Sequence, residues 1–107
     1  FEDTPRKQAE ARRLADVLPE RRGVVCGDLN TVPGTESFAA ITGRLRAVGP
    51  VEPTWTTKPF SYGGFDETEL RWSLDQVLVT DDVVVRSCEA VPTELSDHLP
   101  VRVELEA

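Results

Sequence analysis

A chain of 107 residues, 39% of them hydrophobic and with a net charge of −7, suits one small globular domain or a piece of a larger one. No apolar run is long enough for a membrane span, and the acidic balance excludes the broad basic face of a nucleic-acid binder. Six of its twelve basic residues, Arg6, Lys7, Arg12, Arg13, Arg21 and Arg22, lie within residues 1–22, and the rest is strongly acidic.

Residues 5–19 read as a helix. Pro5 suits a first helical turn, Thr4 suits the N-cap, and Ala9, Leu14, Ala15, Val17 and Leu18 form a partial apolar stripe that Pro19 stops. No signal peptide is visible, and because the sequence starts with Phe1 rather than Met the natural N-terminus is expected upstream. Val24-Val25-Cys26 is a short buried strand, and Gly27 marks where the backbone leaves it. Asp28 and Asn30 follow two apart; in a chain still extended, both side chains point to one side and Leu29 turns to the core. The plainer alternative is that this pair only starts a turn and caps the next helix.

Thr35 and Glu36 open a second helix, with Phe38, Ala39, Ile41 and Leu45 on its buried side. Residues 49–73 are irregular and hold most of the aromatics, Trp55, Phe60, Tyr62, Phe65 and Trp72; these either stack on a base or sugar or pack over the sheet edge. Leu74 to Val79 is a strand, Thr80-Asp81-Asp82 a turn, and Val83 to Val91 the hairpin partner of that strand. Val101 to Leu105 alternates as a half-buried closing strand. Cys26 and Cys88 are too few to staple the fold and read as buried free thiols, a disulfide between them having no support. The order of elements argues for a mixed sheet with helices on one face.

The polar residues that matter fall at strand ends. Asp28 and Asn30 follow the first strand, Asp75 begins another, and Asp97-His98 precede the last. If the first strand runs antiparallel to the other two, all five meet along one sheet edge. Carboxylates there suit a hard cation and a proton acceptor, an amide offers a donor, and a histidine paired with Asp75 would be held in its charged form. Phosphoester cleavage needs such a set. Ser96-Asp97-His98 is not a hydrolase triad, because adjacent side chains diverge.

Gly27-Asp28-Leu29-Asn30, Leu74-Asp75-Gln76-Val77-Leu78-Val79 and Ser96-Asp97-His98-Leu99-Pro100-Val101 resemble, in order and spacing, the last three signature motifs of the endonuclease/exonuclease/phosphatase superfamily. That family takes in exonuclease III-like, DNase I-like, sphingomyelinase and inositol polyphosphate phosphatase enzymes. The resemblance implies an α/β (α+β) fold: the C-terminal half of a four-layer sandwich, with one mainly antiparallel sheet and two helices over residues 1–107. It implies that Asp28 orients or activates water, Asn30 supports the transition state, Asp75 holds the catalytic His98, and Asp97, with Asp28, binds Mg2+ or Mn2+. Ser73 stands where the middle motif often has arginine, although Arg71 is close.

The N-terminal half of the family fold, with its metal-binding glutamate, has no counterpart upstream of Asp28. The chain is therefore expected to be an inactive, self-associating half of a metal-dependent phosphoesterase. Its substrate would be a phosphorylated small molecule, a lipid head group or a nucleic acid, and the acidic charge favours the first two. The competing reading is a non-catalytic domain that keeps the motifs and binds a partner or a metal.

Overall fold

The computed structural model describes residues 2–106. Helix α1 spans Pro5–Ala15, and the Thr4 hydroxyl accepts from the Lys7 N–H at 3.2 Å as its N-cap. It ends earlier than expected, because residues 16–18 tighten into turns bonded three residues back to Leu14 and Ala15. Its buried stripe is Ala11, Ala15 and Leu18; Ala9 and Val17 face solvent, since a 3.6-residue period cannot bring them to the same side. Helix α2 spans Glu36–Thr42 with Thr35 as N-cap. Phe38, Ile41 and Leu45 are buried as expected, whereas Ala39 lies on the exposed side.

The strands are β1 (Val24–Asp28), β2 (Arg46–Gly49), β3 (Phe60–Tyr62), β4 (Phe65–Glu67), β5 (Asp75–Val79), β6 (Val85–Ala90) and β7 (Val101–Leu105). All pairings are antiparallel, in a three-stranded sheet β1-β5-β2 and two hairpins, β3-β4 and β6-β7. An α+β fold with two helices is therefore what the chain adopts. Strand β5 is central, and Gln76, Val77, Leu78 and Val79 are all buried. Leu78 is fully buried beneath both helices, among Ala11, Ala15, Leu18, Ile41 and Leu45. Burial of this kind contributes roughly 1.5–3 kcal/mol per large aliphatic side chain.

The expected hairpin between 74–79 and 83–91 does not form. Both edges of β5 are taken by β1 and β2, so the chain turns at Thr80–Asp82 and β6 pairs with β7 instead. Asp82 secures that turn by accepting from the Arg22 backbone N–H at 3.0 Å. Residues 46–49 form a strand to which the sequence assigned no element, and 60–67 form a hairpin inside the stretch expected to be irregular. Cys26 is exposed and Cys88 half-buried, both free thiols, and β1 as a whole is largely exposed, with Val24 at 42% and Val25 half-buried, in place of the buried strand expected at Val24–Cys26. Among the described residues no helix is long and apolar enough to cross a membrane.

Candidate active site

Strand β1 runs antiparallel to β5 in a register that sets its last residue, Asp28, directly opposite the first residue of β5, Asp75. Opposed ends of an antiparallel pair share one edge of the sheet, so two carboxylates far apart in sequence become neighbours. The third contributor is the corner Ser96–His98, which reaches this edge through a β-bridge between Trp55 and His98. His98 Nδ1 lies 2.7 Å from Asp75 Oδ2, and its Nε2 lies 3.8 Å from Asp28 Oδ2. The first is a short hydrogen bond. The second is too long for one, which leaves both groups with capacity for a third atom.

Burial opposes charge on the imidazole. The bond and charge of Asp75, with the charges of Asp28 and Asp97, outweigh it and hold the His98 pKa above the usual histidine value. Asp75 is the more enclosed partner, its side chain 17% exposed against 43% for Asp28. Asp97 lies next in the chain, and its Oδ2 accepts from the Trp55 indole N–H at 3.2 Å. That bond, resisted by burial and helped by the His98 charge, holds the Asp97 carboxyl below the usual carboxylate range.

The chain is not extended through Asn30. Its φ is 51°, a left-handed conformation, and its N–H bonds Asp28 Oδ1 at 2.9 Å, closing a turn on the strand end. The side-by-side presentation expected from strand alternation thus gives way to an Asx turn, and Lys7 Nζ of α1 donates to the Asn30 carbonyl at 2.5 Å. The plainer alternative is half met: Asp28 does start a turn, while α2 is capped by Thr35 and by the Asp3 carboxylate, which accepts the Glu36 N–H at 2.8 Å.

Asp28, Asn30, Asp97 and His98 all border one open cleft of about 310 Å³, and Trp55, Phe60 and Phe65 also line it. Of the aromatics, Trp55 is buried at 5% exposure, Phe60 and Phe65 are 38% exposed, and Tyr62 stands out in solvent. Trp55 is a functional neighbour that motif reading passed over. Its only sequence signal is an indole in an aromatic-rich segment. Arg71 is engaged elsewhere, on Glu67 at 2.8 Å and over the Trp72 ring.

Asp28, Asp75 and His98 each offer one ligand atom within 4.8 Å of the others. Two of those residues, Asp75 and His98, already bond each other through Oδ2 and Nδ1, with the Asp28 carboxylate beside them. Mg2+ takes only one or two protein carboxylates and fills its sphere with water and substrate oxygen. Asp28 and Asp97 are exposed carboxylates on the same cleft and offer donors of that chemistry, although Asp97 is not one of the three residues whose ligand atoms come together.

Residues 3–98 match the model of the Endonuclease/Exonuclease/phosphatase family. No curated protein matches the chain. The crystal structure of the endonuclease/exonuclease/phosphatase from Bacteroides vulgatus superposes with a TM-score of 0.63 at 27% sequence identity, over 94% of this chain. That overlap is 43% of the Bacteroides chain, so the present chain spans less than half the length of the structure it resembles. By its fold and by the extent of the family match, the chain belongs to the endonuclease/exonuclease/phosphatase family.

Proposed function

We propose that this cleft hydrolyses phosphoester bonds, with water as the nucleophile, in a protein to which residues 1–107 contribute the C-terminal part of one catalytic domain. The family is generally one of metal-dependent phosphoesterases and nucleases. One observation carries the reading: His98 lies between Asp75 at 2.7 Å and Asp28 at 3.8 Å, the three drawn from separate segments of the chain.

The roles follow from the donor and acceptor chemistry. Asp75 accepts the Nδ1 proton of His98, which fixes the ring and turns Nε2 toward the open cleft beside Asp28. In its charged form His98 donates to a phosphoryl oxygen that gains negative charge. Asp28 accepts a proton from the attacking water, and the Asn30 amide donates to the substrate. A divalent cation, Mg2+ or Mn2+, held by Asp28 and Asp97, would polarise the phosphoryl group. The acidic charge of the chain favours a phosphorylated small molecule or lipid head group over nucleic acid.

The test is hydrolysis of a chromogenic phosphodiester by the whole protein with Mg2+. Asp28→Asn should lower kcat by about 10²–10⁴-fold with folding intact by circular dichroism. Turnover that persists unchanged in folded Asp28→Asn overturns the assignment.

A further inference from the structure

The segment Thr54–Thr57 belongs to none of the three motifs, yet it is bonded to every part of the site that comes from residues 74–99. Thr54 is fully buried, and its hydroxyl accepts from the N–H groups of Leu74 and Asp75 at 3.2 and 3.1 Å. Its carbonyl accepts from Leu99 at 2.8 Å. Trp55 exchanges backbone bonds with Trp72, bridges to His98, and gives its indole proton to Asp97 Oδ2 at 3.2 Å. Thr57 N–H holds the Asp97 carbonyl at 3.0 Å. The indole also packs at 6.3 Å from the His98 ring and edge-on to Phe60 at 5.1 Å.

We propose that Trp55 is a positioning residue for the metal and phosphate site, its buried indole N–H holding the Asp97 carboxylate by Oδ2 so that Oδ1 is the oxygen presented to a divalent cation. The proposal rests on the reading of the cleft as a phosphoesterase site. Asp97 is an exposed side chain on a corner, and ordering it when a ligand arrives costs conformational entropy. The indole donor is rigid, cannot titrate and is 5% exposed, so the carboxylate is ordered in advance. Oδ1 has a long contact of 3.5 Å to the Ser96 hydroxyl. Groups that orient a metal ligand in this way typically change affinity by about 10–100-fold when removed.

Trp55→Phe keeps a ring in the core and removes the donor. In the whole protein, Mn2+ binding followed by electron paramagnetic resonance should weaken about tenfold or more. A packing role alone would lower the melting temperature without moving Mn2+ affinity, and that result in a folded variant overturns the proposal. A second measurement needs no metal: the Trp55 indole N–H resonance should shift upfield in Asp97→Asn, and a resonance unmoved by that change also overturns it. If Trp55→Phe does not fold, this resonance decides alone. An indole shift in Asp97→Asn together with unchanged Mn2+ affinity in that variant supports the contact and sinks instead the placing of the cation under "Proposed function".

Discussion

The imidazole of His98 has one carboxylate at bonding distance and a second just beyond it, and the two do different work. Asp75, the more enclosed, spends its Oδ2 on Nδ1 and sets the ring; Asp28 stays open to the cleft. If the pair acts as one unit on a phosphate oxygen, removing either member loses the same interaction, and the losses do not add. His98→Ala should reduce kcat by about 10²–10³-fold in the whole protein, and Asp75→Asn by less. The double variant should be hardly slower than His98→Ala. Activity per folded molecule is the quantity to compare, with folding followed by thermal melting. Near-normal specific activity in folded His98→Ala would leave the Asp97–His98 corner as a strand start and nothing more.

Among the elements, the β3-β4 hairpin is anchored at its end by one buried carboxylate. Glu67, 4% exposed at the end of β4, accepts from the Trp72 indole at 2.7 Å, from Arg71 Nε at 2.8 Å, and from the N–H groups of Thr68 and Glu69 at 3.1 Å. Because Trp72 pairs with Trp55, the hairpin that carries Phe60 and Phe65 is tied to the same brace that holds Asp97. The Trp72 indole bond first, then Arg71, push the Glu67 carboxyl down to about 2 from 4.5, against the opposing effect of burial. A depressed pKa adds stability that is present above the unfolded value of 4.5 and is lost as pH falls through about 2. Glu67→Gln should therefore melt at a lower temperature near neutral pH and lose less on acidification between those limits. Parallel melting-temperature curves for the two proteins across that range would exclude the linkage.

At the scale of the whole molecule, the outer side of the fold carries apolar surface. A groove of about 280 Å³ between β1, β5 and β7 is lined by Cys26, Val77, Leu99, Val101 and Val103, with the polar Asp75 and Gln76 beside them. The structural match spans under half of the Bacteroides chain, and we propose that the remainder of such a fold covers this face. Residues 1–107 in isolation should then self-associate, as exposed apolar patches do, and should show little phosphoesterase turnover with Mg2+. Sedimentation showing a monodisperse monomer, or chelator-sensitive turnover by this segment alone, would count against a second half.

Short-range features can be read from the chain. Thr4 and Thr35 cap helices because a hydroxyl accepts a backbone N–H two or three residues on, and that is visible in the chain. Periodicity marked Leu74–Val79 as a strand, and three motifs in order marked the family. What periodicity cannot report is pairing. A strand does not carry the identity of its neighbours, so the hairpin expected after Val79 gives way to pairing with β1 and β2, which come from distant sequence. The same register, Asp28 against Asp75, is what turned scattered strand ends into one site. The turn at Asn30 and the bond from Trp55 to Asp97 lie further still from sequence reading. The first depends on a left-handed backbone, the second on two segments 42 residues apart being folded onto one edge. Only the tertiary structure could bring them together.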